Sequence, residues 1–192
     1  ENRINWHDHI VSVKNKMSRT LYNLKMIKNI LPKYVLKTLY TTLLQPYMDY
    51  GILLWGATNQ CHLNKLNVIQ KKAIRTITNS NYNEHTAPLF KDLNLLRLND
   101  LYKLNVGKFM YKMTHNKLPL PIKHTFIQNQ EMHNHNTRQG VHIKYRRTKI
   151  ASNQISHKGP EVWLNIPADI QTAKTINQFK SKYKKFLHQT NL

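Results

Sequence analysis

The sequence predicts a mainly α fold, with a helical first part over residues 1–117 and a smaller, less regular, basic α(+β) segment over residues 118–192. Three observations carry this. Apolar residues recur every three or four positions through long stretches of the first part, the spacing of one helical face. Glycine is scarce, at five in 192 residues, which leaves few of the tight turns an all-β barrel or sandwich requires. In Leu118-Pro119-Leu120-Pro121 two prolines forbid helix and mark the boundary.

Taken in order, the first helix is expected from about Trp6 to Ile30, with Ile10, Val13, Met17, Leu21, Leu24, Ile27 and Leu31 on one face and Lys14, Lys16, Arg19, Lys25 and Lys28 elsewhere. Pro32 suits the first turn of a second helix, where its missing N–H costs nothing, and Pro46 closes that helix. From Pro46 to Trp55 the run is apolar nearly all round and reads as the most buried part of the chain. A third helix, about Leu63 to Thr78, turns Leu63, Leu66, Ile69, Ala73, Ile74 and Ile77 inward and Lys65, Lys71, Lys72 and Arg75 outward. Residues 79–96 are turn-rich, and a fourth helix spans about Leu98 to His115. Beyond Pro121 the period fades. Val141–Tyr145 alternates as a short strand would, Gly159-Pro160 punctuates a patch around Trp163, and a closing helix starts at about Thr175, where Thr175 and Gln178 fit a capping box.

Charge narrows the function. Thirty Lys and Arg stand against nine Asp and Glu, a formal charge of +21. Such an excess repels itself on compaction and calls for a polyanionic partner, nucleic acid before an anionic membrane surface. Residues 1–100 hold 14 basic and 6 acidic side chains and residues 101–192 hold 16 and 3, so the second part is the more basic. No run approaches the roughly 18 apolar residues of a membrane helix, and the first residues have no hydrophobic leader core. A lone cysteine, Cys61, excludes an internal disulfide and fits a reducing, intracellular location, nucleus or cytoplasm. The chain starts at Glu1 without Met and in mid-pattern, so a fragment of something longer is expected.

Catalytic groups are thin. Phosphoryl transfer to a nucleotide needs converging carboxylates around two Mg²⁺. The acids Glu1, Asp8, Asp49, Glu84, Asp92, Asp100, Glu131, Glu161 and Asp169 include no adjacent pair. No catalytic site and no metal or other cofactor is therefore expected in this chain. Asp49, inside the apolar run, reads either as a helix-terminal or buried hydrogen-bonded acid or as a functional one. The eleven histidines are densest at His133-Asn134-His135-Asn136. That tripeptide spells the name of a nuclease class whose ligands come from separate parts of a fold, so a loop or phosphate contact is the preferred reading over a metal site.

Nucleic-acid binding has more behind it. Helices with one apolar and one cationic face can lay the latter along phosphates. The candidates are Lys14, Lys16 and Arg19 on the first helix, Lys71, Lys72 and Arg75 on the third, and the dense cluster Lys144, Tyr145, Arg146, Arg147 and Lys149, joined by Arg138. Cations with an aromatic among them suit single strands or a hybrid duplex.

At this point the residues resemble a family. Trp6-His7-Asp8-His9-Ile10, Leu39-Tyr40 with Leu44-Gln45-Pro46-Tyr47, Tyr50-Gly51 and Trp55-Gly56 follow one another as in the region after the palm of non-LTR retrotransposon reverse transcriptases of the jockey and CR1 type. Gln70-Lys71-Lys72-Ala73-Ile74-Arg75, Pro88-Leu89-Phe90, His135-Asn136-Thr137-Arg138 and Gly159-Pro160-Glu161-Val162-Trp163 continue the series. The last block departs from the pattern, with Leu164-Asn165-Ile166-Pro167 after Trp163 in place of the usual Trp-Asn. The resemblance implies an RNA-directed DNA polymerase whose palm, with its Mg²⁺-binding aspartates, lies upstream. The first helices would be a thumb-like bundle gripping a template–primer hybrid, and the basic second part would hold element RNA or target DNA. Partners would then be RNA, DNA and the upstream palm and fingers, with no membrane. The alternatives are an autonomous structural RNA-binding protein and a His-based metal-dependent nuclease around His133.

Overall fold

A computed structural model describes residues 6–123, 125–126, 142–143 and 145–190. The fold is mainly α, and no strand occurs among the described residues. The expected alternation at Val141–Tyr145 therefore requires correction: 142, 143 and 145 are neither helix nor strand, and 141 and 144 lie outside the described residues. The tertiary contacts group Glu1–Leu101 with His188–Leu192 in one compact unit and Tyr102–Leu187 in another. This grouping divides inside a helix, whereas the two prolines mark residues 117–118. Nor do the prolines forbid helix as expected, since Pro121 lies in the first turn of a short helix, Leu120–Lys123, where its missing N–H costs nothing.

In the first unit α1 (His7–Ile27) packs along α5 (Gln60–Thr78). The two run parallel: the His7 and His62 rings meet at 5.4 Å at one end, and Lys28 Nζ donates to Asn79 Oδ1 at 3.2 Å at the other. Ile10, Val13, Met17, Leu21 and Leu24 of α1 are buried, as are all six inward positions expected on α5. Between these helices runs a nearly continuous helical limb made of α2 (Lys33–Leu39), a π-helical turn (Tyr40–Leu44) and α3 (Gln45–Asp49). Pro46 does not stop this limb, contrary to expectation. The Gln45 N–H reaches back five residues to the Tyr40 carbonyl, and this wider turn carries the helix past a proline that would crowd a regular one.

The 46–55 run also differs from its reading. Tyr50 is extended, Gly51 is left-handed at φ 63°, and α4 (Ile52–Trp55) restarts at a new angle. Met48, Ile52 and Trp55 are buried, but Tyr50 is 77% and Leu54 64% exposed. Asp49 ends α3 and accepts from Gln45 Nε2 at 3.2 Å, a helix-terminal, hydrogen-bonded acid. Between α5 and the next long helix, where only turns are expected, α6 (Thr86–Asp92) buries Phe90.

Asparagine does the work that scarce glycine leaves undone. Asn79, Asn94 and Asn116 are left-handed, at φ 52°, 49° and 54°. Each is followed by an N–H that bonds five residues back, Ser80 to Arg75, Leu95 to Phe90 and Lys117 to Lys112. That is the helix-closing pattern in which a left-handed residue satisfies orphan carbonyls, and asparagine tolerates it better than other residues with a Cβ.

The second unit takes in α7 (Leu98–Thr114) from Tyr102 onward, α8 (Leu120–Lys123), α9 (Lys149–Ser152), α10 (Ile155–Leu164), α11 (Ala168–Gln171) and α12 (Ile176–Thr190) up to Leu187. Its core is aromatic. Phe179 is fully buried, with the Tyr111, Tyr183 and Trp163 rings at 5.0, 5.6 and 5.8 Å. The Tyr111 hydroxyl donates to the Ala173 carbonyl at 2.7 Å. Gly107 allows the approach of α7 to this cluster, since a Cβ there would stand 2.7 Å from Tyr183 Cε1. Gly159 and Pro160 do not punctuate: both are buried inside α10, where a Gly159 Cβ would stand 2.7 Å from Met110 Sδ. The Thr175 cap is present, with Gln178 N donating to Thr175 Oγ1 at 3.2 Å, while the return bond to Gln178 Oε1 comes from the Lys174 N–H, one residue before the expected one, at 3.0 Å.

Two phenols, the buried Tyr40 and the half-buried Tyr102 with its shielded hydroxyl, make alkaline stability a test of the packing. Burial, aided by the nearby Glu161 charge, pushes Tyr102 up to about 12, and burial holds Tyr40 higher still, against a lowering hydrogen bond from Gln70. In the unfolded chain both ionise near pH 10. Above that pH the unfolded state binds fewer protons than the folded one, so stability falls as pH rises, and no such loss occurs below it. The unfolding free energy from urea titration should carry no loss from these two phenols below about pH 10 and then drop by as much as about 1.4 kcal/mol per pH unit for each of them. Tyr102→Phe should make the drop shallower; an equal drop in that variant would show that Tyr102 is not protected.

Candidate nucleic-acid interface

Steps of about 100° per residue decide which cations can act together. On α1, Lys14, Lys16 and Arg19 are all exposed. Lys14 and Lys16, however, point about 200° apart around the axis, one on each flank of the buried stripe, with Arg19 on the outer side. Lys16 Nζ lies 6.0 Å from the Tyr47 ring, so its flank faces α3. These three do not share a face.

On α5 the arrangement is different. Lys71, Arg75 and Lys72 fall within about 100° of arc, Lys71 exposed and Arg75 half-buried, with the half-buried Lys72 at the edge of that arc beside the buried Thr76, and α5 contains no Asp or Glu. Lys65 and the half-exposed Val68 lie on the same side. Arg75 is partly committed: Nε and Nη2 donate to the Glu84 carbonyl at 3.0 and 2.8 Å, and the guanidinium stands 6.0 Å from the Tyr82 ring. It pins the turn after α5, which leaves Lys71 and Lys72 as the groups best placed to meet phosphate.

In the second unit Tyr145 is 86% exposed, with Arg147 and Lys149 exposed beside it and Ile150 at 61%. Arg146 is half-buried, and its Nε is shielded from solvent with no partner among the described residues. Thr148 Oγ1 accepts from Ala151 N at 3.3 Å and so starts α9 at Lys149, the last residue of the cluster. Arg138 and Lys144 lie outside the described residues, as do His133 and His135. A further set escaped the site reading although its letters are plain. Helix α12 carries Lys180, Lys182, Lys184 and Lys185 and no acid.

Among the described residues the carboxylates do not converge. Asp92 pairs with Lys33, Glu161 with Lys158 at 2.8 Å and His157 at 3.9 Å, and Asp8 with His7 at 3.1 Å. Glu84 accepts from its own turn at Asn81 N, and Asp100 is buried. Among the described residues no three His, Cys, Asp or Glu side chains are grouped to hold a metal ion, so this donor set does not fit a two-Mg²⁺ centre. Nor is any described helix long and apolar enough to cross a membrane. Among the described residues the exposed groups of these clusters are cationic, with Tyr145 the exposed aromatic beside Arg147 and Lys149.

Over 75 residues, 39% of this chain, the sequence is 28% identical to the RNA-directed DNA polymerase from mobile element jockey of Drosophila melanogaster. Over 98 residues, 50% of the chain, it is 26% identical to the probable RNA-directed DNA polymerase from transposon BS of the same organism. Over these stretches the chain is similar to RNA-directed DNA polymerases of mobile elements. The matches cover only 8% and 11% of those two proteins, so this chain corresponds to a small part of each. No family model matches, and no solved structure matches.

Proposed function

We propose that this chain is a nucleic-acid-binding part of a non-LTR retrotransposon reverse transcriptase, from the thumb and the region after it, and that it grips template–primer hybrid or element RNA without a catalytic site of its own. The observation that carries this is the acid-free α5, where the exposed Lys71 stands beside the half-buried Lys72 on a firmly packed helix. Similarity to mobile-element polymerases gives that face a partner of matching charge. In this reading the α1–α5 pair is the thumb-like element, the 145–149 cluster adds a stacking tyrosine among cations, and the Mg²⁺-dependent chemistry belongs to residues upstream.

Titration of an RNA–DNA hybrid at several salt concentrations tests it. Affinity should fall with salt, with a log–log slope of about 0.9 per neutralised phosphate for a B-form duplex, and each of Lys71→Ala and Lys72→Ala should make it shallower by about one. Binding that ignores salt, or a double variant with an unchanged slope, would remove α5 from the interface.

A further inference from the structure

The lysines of α12 are placed in a way that the general charge of the chain does not require. Over its 15 residues the helix extends about 22 Å. Phe179, Tyr183 and Leu187 bury one side. On the opposite side Asn177, Ser181 and Lys185, at i, i+4 and i+8, form an exposed ridge. Lys180 and Lys182, both exposed, stand to the two sides of that ridge, each about 100° from Ser181. Lys182 Nζ also reaches the Asp169 carbonyl oxygen at 3.5 Å, a long and weak contact. The half-buried Lys184 lies on the Lys180 side.

A cation on each flank of a small polar ridge fits a groove walled by phosphates on both sides. It does not fit one strand laid along one side. A single strand would also be held by exposed aromatic rings, and the exposed residues of α12 include none. An interfacial membrane helix sinks its apolar face into lipid, but here that face is occupied by the protein core. Among duplexes, B-form DNA has a major groove roughly 12 Å wide that admits a helix, whereas the A-form major groove is too deep and narrow.

We propose that α12 docks in the major groove of double-stranded B-form DNA, Lys180 and Lys182 meeting phosphates of the two walls and Asn177, Ser181 and Lys185 facing base edges. This rests on the nucleic-acid reading above and narrows it to a second, distinct partner surface.

The test uses the full 192-residue chain with a DNA duplex of about two helical turns, the RNA duplex and RNA–DNA hybrid of the same sequence, and phosphatidylserine vesicles. Lys180→Ala/Lys182→Ala/Lys185→Ala should weaken DNA-duplex binding at least about tenfold and flatten its salt slope by about 0.9 for each of the two phosphate-facing lysines, Lys180 and Lys182, with losses under about threefold on the A-form ligands. Far-UV circular dichroism checks folding, and Lys180→Gln/Lys182→Gln is a milder second variant expected to shift the same way. Equal losses on all three nucleic acids would overturn the groove assignment and leave the nucleic-acid reading standing. Loss of vesicle binding with DNA binding intact would overturn it in favour of a membrane. A wild-type chain that binds none of the nucleic acids would end both.

Discussion

Phe179→Ala should lower stability by about 3–5 kcal/mol, the largest single effect expected in the chain. Phe179 is fully buried, and three rings surround it at 5.0 to 5.8 Å. None of the three can easily collapse into the space. Tyr111 is tethered by its hydroxyl to the Ala173 carbonyl, and Tyr183 is wedged against the flat surface that Gly107 leaves on α7. Trp163 is held on α10, whose own packing uses the buried Gly159 and Pro160. The cavity therefore stays open, and its cost adds to the lost transfer free energy. For a chain of this size each kcal/mol shifts the melting temperature by about 2–4 °C, so calorimetry should show a drop on the order of 10 °C. Hydrogen exchange should locate the loss in α10, α12 and the 102–114 part of α7. Phe179→Leu should recover much of it. A loss below about 1 kcal/mol in Phe179→Ala would mean that the aromatic cluster is not the organising core of this unit.

Helices whose apolar residues keep one period along their whole length were readable from sequence. On α5 every expected inward residue is buried, and on α1 only the ends differ, because Ile27 and Leu31 lie at or past the last turn. The failures share a cause: a local breaker was overruled by a bond or contact from elsewhere. Pro46 signals a stop, but the five-residue reach from Gln45 to Tyr40 lets the helix continue. Gly159-Pro160 signals a turn, but their burial holds them in α10. The opposite error occurred at 46–55, where composition alone suggested full burial and a left-handed Gly51 turned Tyr50 and Leu54 outward. For the candidate interface, letters identified cations but not their directions. The separation of Lys14 from Lys16 follows from helical angle alone and was available in the sequence. The capture of Arg75 by the Glu84 carbonyl was not, since it depends on a turn nine residues away.

Gln70→Leu should cost about 2–4 kcal/mol even though it puts an apolar residue of similar size into an apolar site. Gln70 is 1% exposed, and its amide is used at both ends. Nε2 donates to the Tyr40 hydroxyl at 2.9 Å and to the Leu96 carbonyl at 3.0 Å, and Oε1 accepts from the Leu98 N–H at 3.0 Å. One side chain thus ties α5 to the π-helical turn and to the segment that starts α7. Leucine would leave three buried polar groups without partners, and that desolvation penalty outweighs the added apolar burial. Tyr40→Phe in the Gln70→Leu background removes one of the three, so the double variant should regain about 1 kcal/mol and show clear coupling. The Leu98 amide should exchange slowly in the wild type and markedly faster in Gln70→Leu. Gln70 also bears on the proposed interface, because holding residue 70 inward keeps its neighbours Lys71 and Lys72 on the outer face of α5. Below its melting transition the variant should still bind the RNA–DNA hybrid with the wild-type salt slope, since both lysines remain outward on a helix packed by Leu66, Ala73 and Ile74. A variant that is folded but has lost that slope would show that Gln70 sets the angle of α5, and with it the direction of the lysines, more than the apolar face does.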